Sequence, residues 1–155
     1  MELTGTRTIA ADRQTVWAHL NDPETLRASI PGCETLEGSP DEGFEAVVKQ
    51  KIGPVRATFK GKVTLGDVTP PESYRITGEG NGGIAGFAKG HADVTLTEVP
   101  GGTQLDYAAH AALGGKLAQL GSRLVGGVAR KLADQFFDAF QAHVEAAQPV
   151  DGKAG

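Results

Sequence analysis

A chain of 155 residues, 39% of them apolar, is long enough for one domain with a substantial core. Its formal charge of −4 and pI near 5.5 exclude general binding to a phosphate backbone, so no nucleic-acid partner is expected. One cysteine, Cys33, excludes an internal disulfide and a cysteine-cluster zinc site, and the lack of a membrane-length apolar run or a secretion-type start points to a cytoplasmic protein.

The chain opens with a predicted strand over residues 3–10, where Leu3, Gly5, Arg7 and Ile9 alternate with Thr4, Thr6 and Thr8. Asp12 is placed to cap a short helix reaching Leu20, with Val16, Trp17 and Leu20 on its inner side. Trp17, the only tryptophan, is expected to be largely buried where this helix closes one end of the fold. Asp22 as N-cap and Pro23 as first helical residue predict a second short helix to about Ser29, ended by Ile30-Pro31-Gly32. Strands then follow at residues 33–37, 44–52, 55–68, 73–80, 85–99 and 103–113, separated by Gly- and Pro-rich turns. The cleanest alternation puts Val55, Ala57, Phe59, Gly61, Val63 and Leu65 on one face against Arg56, Thr58, Lys60, Lys62 and Thr64. Successive hairpins without crossover helices require antiparallel pairing.

A long helix is predicted from residue 116 to 147. Leu117, Leu120, Leu124, Val125, Val128, Leu132, Phe136, Phe140 and Val144 recur at three- and four-residue steps and fill one broad arc. The opposite arc is charged or polar, so the apolar arc must lie on the sheet. Gly121, Gly126 and Gly127 interrupt good helix formers there, implying a close approach, a bend, or space beside the helix. The fold class is therefore α+β: a curved seven-stranded antiparallel sheet gripping a long C-terminal helix, with two short helices after the first strand. Residues 1–147 are read as one domain and residues 148–155 as a short disordered tail.

The inward register of this sheet is rich in small residues: Ala57, Gly61, Gly78, Gly80, Gly90, Ala92, Ala109 and Ala111. Glycine lets strands bend, but curvature does not call for the alanines that accompany it. Larger inward residues cannot fill every gap, so an apolar cavity is expected between sheet and helix. Its predicted lining is Ala57, Phe59, Gly61, Val63, Tyr74, Ile76, Gly78, Ala92, Tyr107 and Ala109 from the sheet, with Leu117, Leu120, Leu124 and Val128 from the helix. Residues 81–87 join two strands at one rim, and Gly82, Gly83 and Gly86 predict mobility there. Ile84 and Phe87 are read as a lid over the cavity mouth, facing the helix stretch that begins at Gly121.

Two stretches carry a family resemblance: Leu20-Asn21-Asp22-Pro23-Glu24-Thr25-Leu26 and Ile30-Pro31-Gly32-Cys33-Glu34. With Gly78-Glu79-Gly80, Gly82-Gly83 and Gly90-His91-Ala92, and with Lys116–Gly121 and Phe136–Phe140 in the helix, the chain resembles the CoxG proteins of carbon monoxide dehydrogenase systems over about residues 2–145. That family has the helix-grip fold of the START/Bet v 1-like superfamily. The resemblance implies a non-catalytic protein with a hydrophobic cavity that accompanies a molybdenum hydroxylase of the carbon monoxide dehydrogenase type. It further implies a quinone or lipid-like ligand and transient contact with the inner face of the membrane. In many relatives a linker and an apolar C-terminal tail supply membrane attachment; the present sequence runs only to residue 155.

No residue pattern argues for catalysis. Cys33 follows a Pro-Gly turn with nothing adjacent to activate it, and reads as a structural thiol. His19, His91, His110 and His143 lack metal-ligand spacing, so no metal or cofactor is expected. His91 and His110 read as solvent-facing neighbours across the last hairpin, on the register of Asp93 and Asp106. Gly78-x-Gly80-x-x-Gly83 matches a dinucleotide fingerprint in letters only, because it opens no helix. The readings left open are a carrier of a hydrophobic molecule, a polyketide cyclase- or hydrolase-like enzyme of the same superfamily, and an assembly factor with an incidental cavity.

Overall fold

Alternation of side chains about the sheet organises the structure, a computed structural model that describes residues 1–147. The tail predicted at residues 148–155 lies outside the described residues. β1 (Glu2–Ile9) alternates outward threonines with inward residues ending in the fully buried Ile9. In α1 (Arg13–Leu20) the Asp12 carboxylate accepts from the Thr15 N–H at 2.8 Å, satisfying a first-turn donor. In α2 (Pro23–Ser29) Asp22 accepts from both the N–H and the hydroxyl of Thr25. The predicted caps at both helices are the observed ones.

Six further strands follow: β2 (Cys33–Ser39), β3 (Gly43–Ile52), β4 (Val55–Thr69), β5 (Ser73–Asn81), β6 (Phe87–Val99) and β7 (Gly102–Gly114). They pair antiparallel in the order β1-β7-β6-β5-β4-β3-β2, so the first strand returns to pair with the last. The register is the expected one: Val55, Phe59 and Val63 are turned inward and Arg56, Lys60 and Lys62 outward. This is the seven-stranded helix-grip architecture expected from the sequence.

The C-terminal helix departs from its predicted form. It is two helices, α3 (Lys116–Gln119) and α4 (Ser122–Ala147), separated at Gly121, whose φ is +91°. A left-handed residue ends a helix, and glycine adopts it without the Cβ penalty. The Val125 N–H then donates to the Gly121 carbonyl at 3.1 Å, restarting the helix. Of the three readings for the helix glycines, the bend belongs to Gly121. Gly126 and Gly127 have open space where a side chain would be.

The two layers are filled unevenly. Phe140 and Val144, late in α4, are fully buried against Ile9, Val16, Leu20, Tyr74, Val94, Leu96 and Leu105. Trp17 is only partly buried there, its ring edge-on to Tyr74 at 5.2 Å. Exposed backbone on β1 is answered by polar groups of α4. Arg130 donates to the Thr4 carbonyl at 2.9 Å, Gln141 to the Thr8 carbonyl at 3.1 Å, and Glu145 accepts from the Ala10 N–H at 2.8 Å. Arg7 reaches Asp138 at 2.7 Å, so three of these four contacts fix the later half of the helix and Arg130 the earlier. The later half is packed into the core; the earlier half lies over the small residues of the sheet.

Candidate functional site

Cross-strand register sorts the inward side chains by size. One row reads Ala46, Gly61, Gly80, Ala88 and Leu113 across β3 to β7, and the next reads Phe44, Val63, Gly78, Gly90 and Ala111. The rows nearer the core carry Tyr74, Val94 and Tyr107, then Leu96 and Leu105. Small residues thus collect beneath the first half of α4, where a pocket of about 280 Å³ opens between the layers. Its floor includes Phe59, Gly80, Ala88 and Ala111, and its roof Leu117, Val125, Val128, Ala129 and Leu132. Met1, Val48, Gln50, Ile52 and Leu113 complete it.

The exposed wall of this pocket is wholly apolar. Gln50 is its one polar side chain, and its amide is turned onto the Pro31 carbonyl at 2.7 Å. A polar group enclosed there would give up its hydrogen bonds to water without replacement. Larger hollows, about 890 and 570 Å³, lie on the other face of the sheet among charged residues such as Glu45, Lys62, Glu79 and Lys89. They are no more open to solvent than the apolar pocket, but their walls are charged and only the sheet lines them, so the smaller apolar space between sheet and helix is the better candidate.

The predicted lining residues divide by position. Phe59, Leu117 and Val128 meet in the pocket wall. Ala57, Gly61, Val63, Ile76, Gly78, Ala92 and Ala109 are turned to the inner face but lie outside that wall. Tyr74 is in the core, where burial pushes its hydroxyl well above the usual range, and Tyr107 stacks on Phe137 at 4.9 Å. Leu120 ends α3, and Leu124, 38% exposed, covers Gly53 at the β3–β4 turn. Among wall residues the lining prediction lacked, Gly80 and Ala111 already belonged to its small inward set. Val125 and Leu132 were in the apolar arc of the helix.

The rim differs from the lid that was expected. Residues 81–86 form a hydrogen-bonded turn around a short 3₁₀ segment, Gly83–Ala85: Gly82 N–H donates to the Gly86 carbonyl, and Gly83 N–H to the Asn81 side chain, both at 2.8 Å. Ala85 is buried, and Gly86 lies so close to the Gly114 carbonyl that a Cβ there would sit 2.3 Å from it. Ile84 projects from this anchored turn, 87% exposed. Phe87 falls on the outward register, packed over Gly114, because Ala88 takes the inward position. Gly121 stands exposed at the α3–α4 break.

The titratable residues form no site at the pocket. Burial pushes the Cys33 thiol up, against a smaller opposing pull from Arg27, and its sulfur donates to the Thr35 carbonyl at 3.3 Å. His91 and His110 are neighbours across β6–β7, ring centres 5.9 Å apart, with Glu2 3.5 Å from His110. A third arrangement was not legible in the sequence. Buried Thr25 donates its hydroxyl proton to Asp22 at 2.7 Å and lies 2.9 Å from Nδ1 of His19, whose ring is 5.6 Å from that of His143. With its proton given to Asp22 and no exposed surface, Thr25 is a structural link rather than a nucleophile. Among the described residues no three His, Cys, Asp or Glu side chains are grouped to hold a metal ion.

Sheet, bent helix and pocket define a START/Bet v 1-like helix-grip protein. A conserved protein of Geobacillus kaustophilus is similar over 95% of this chain and 97% of its own, with 30% identity and a TM-score of 0.88. A Chromobacterium violaceum protein shares the fold at 15% identity and TM-score 0.68, covering 94% of this chain and 98% of its own. A di-domain aromatase/cyclase, BexL, shares it at 16% identity and TM-score 0.64, over 96% of this chain and 50% of its own. No curated protein matches. The profile of CoxG, a carbon monoxide dehydrogenase subunit, matches residues 5–145, and the chain belongs to the CoxG family.

Proposed function

We propose that this protein holds the hydrocarbon part of a quinone or lipid-like molecule in the pocket between sheet and helix, in the service of a molybdenum hydroxylase of the carbon monoxide dehydrogenase type. The observation that carries the ligand reading is the wholly apolar wall beneath the first half of α4. At about 30 Å³ for each water-sized group, the pocket has room for roughly nine such groups. That suits one ring or a few isoprene or acyl units, leaving a polar head and the rest of a long chain at the mouth. The enzyme partner rests on the family description, which names a subunit of carbon monoxide dehydrogenase. A cyclase-like activity would need acid and base groups converging on the ligand, and the pocket wall presents none.

Native mass spectrometry of the purified protein, with organic extraction of whatever is carried, tests this reading together with Nile red uptake. Ala129→Phe fills the roof of the pocket and is expected to abolish both co-purified ligand and dye uptake while the protein stays folded by circular dichroism. A folded Ala129→Phe protein that takes up dye as the parent does would overturn the assignment.

A further inference from the structure

Two histidines far apart in sequence are brought together at the packed end of the fold. His19 lies on α1 and His143 on α4, and each precedes a core residue, Leu20 and Val144, so packing fixes both backbone positions. Their ring centres are 5.6 Å apart and the ring planes nearly perpendicular, at 79°. Two imidazoles on one tetrahedral ion, with metal–nitrogen bonds of about 2 Å, have ring centres roughly 5 Å apart. A small turn of the exposed His143 side chain covers that difference.

The hydrogen bonds behind His19 decide which of its nitrogens is available. An ionised carboxylate only accepts, so the one proton of the Thr25 hydroxyl goes to Asp22, at 2.7 Å. The same oxygen must then accept from His19 Nδ1, 2.9 Å away, which puts the ring proton on Nδ1 and leaves the Nε2 lone pair bare. Nε2 has no hydrogen-bond partner among the described residues, yet it is not enclosed, so it opens to the surface. Thr25 itself has no exposed surface, which keeps competing water from this relay. A carboxylate or hydroxyl held against the far nitrogen of an imidazole is what orients histidine ligands of metal ions and raises their basicity.

We infer that His19 and His143 bind a divalent transition ion of the zinc type, His19 through Nε2 and His143 through a ring nitrogen, with Thr25 as the positioning residue. The described residues offer no third His, Cys, Asp or Glu at the pair, so water fills the remaining positions. Imidazole nitrogen selects zinc, nickel or copper over magnesium and calcium, which take oxygen ligands. A bound ion clamps α1 to α4 and stabilises the folded chain by mass action. The site does not rest on the reading of the apolar pocket. His143 lies about 16 Å along α4 beyond Leu132, the last helix residue of the pocket wall.

Isothermal titration of Zn²⁺ into tag-free His91→Gln/His110→Gln protein tests the inference, since those two changes remove the other histidine pair, on the outer face of the sheet. One Zn²⁺ should bind and Mg²⁺ should not. Adding His19→Gln or His143→Gln should weaken Zn²⁺ binding by about tenfold or more. At about one hundred times its Kd, Zn²⁺ should raise the melting temperature by roughly 5–10 °C, and by less in either of those variants. Long-range 1H–15N spectra of the metal-free protein should show His19 protonated on Nδ1, and Zn²⁺ should move its Nε2 resonance. Any of three results overturns the inference: no Zn²⁺ uptake, uptake unchanged by His19→Gln or by His143→Gln, or a His19 ring protonated on Nε2.

Discussion

Two phenylalanines at opposite ends of the fold provide the sharpest test of how the layers are packed. Phe140 has no exposed surface and stacks on Phe136 at a ring separation of 5.8 Å, inside the cluster that includes Ile9, Tyr74, Leu96 and Leu105. Its neighbours are held by strands on one side and by α1 on the other, so the space left by Phe140→Ala cannot collapse readily. The loss is expected at about 3–5 kcal/mol. Phe87 is 43% exposed on the outward side of the sheet, with Gly114 beneath its ring. Phe87→Ala removes only the part of the ring that covers Gly114 and leaves no enclosed cavity, so it is expected to cost about 1–2 kcal/mol. In urea melts the first variant should lower the midpoint by roughly 1–4 M and the second by less, with the slope unchanged in both. Similar losses for the two variants would refute the assignment of core and outer face.

Two further outcomes follow from single residues. Gly127→Ala should stabilise the protein by about 0.4–1 kcal/mol, because Gly127 is helical and exposed and a Cβ there meets nothing within 4 Å; a loss in the same melts would show that the site is occupied. His19 is held below its ordinary pKa of 6.5 by burial first and then by the nearby His143, against an opposing pull from Asp22. The unfolded chain therefore takes up this proton first, so His19 contributes stability above pH 6.5 that is lost as pH falls through 6.5 toward its folded pKa. His19→Gln should flatten the melting temperature between pH 8 and 5, and an unchanged slope would place the titration elsewhere.

Most of the fold was legible because periodicity reports which way side chains face. The alternation of Val55 to Leu65, the caps at Asp12 and Asp22, and the hairpin turns each specify local geometry through nearest neighbours. The break at Gly121 was hidden by the same logic. Leu117 and Leu120 before it and Leu124 and Val125 after it keep the apolar spacing, so the pattern runs on where the backbone does not. The position of the pocket was hidden for another reason. Inward register places Ala57, Ala92 and Ala109 on the right face, but how much space remains above them depends on which helix residues arrive there. Tyr107 meets Phe137, whereas Ala88 and Ala111 lie beneath the stretch from Val125 to Leu132. Phe87 was misplaced because it was read as part of a loop; as the first residue of its strand it obeys the alternation that turns Gly90 and Ala92 inward, and so faces outward.

The small residues of the sheet are small for different reasons, and separating them bears on what the hollow is for. A Cβ on Gly90 would lie 1.9 Å from the His110 carbonyl, so the strand pairing itself demands glycine there. At Gly78 the Lys62 carbonyl and a Val63 methyl both stand 3.3 Å away, which leaves little tolerance. Gly80 is different: a Cβ there meets nothing within 4 Å. Its φ is not in the left-handed region, so neither space nor backbone conformation requires glycine. Ala88, Ala111 and Ala129, which share the pocket wall with it, already carry a Cβ and are not needed for strand curvature. Larger apolar side chains at these positions would bury additional area at about 25 cal/mol per Å². Close contact with the neighbouring strand explains Gly90 and Gly78. It does not explain a wall in which Gly80, Ala88, Ala111 and Ala129 together leave about 280 Å³ unfilled under a helix that is elsewhere packed tightly.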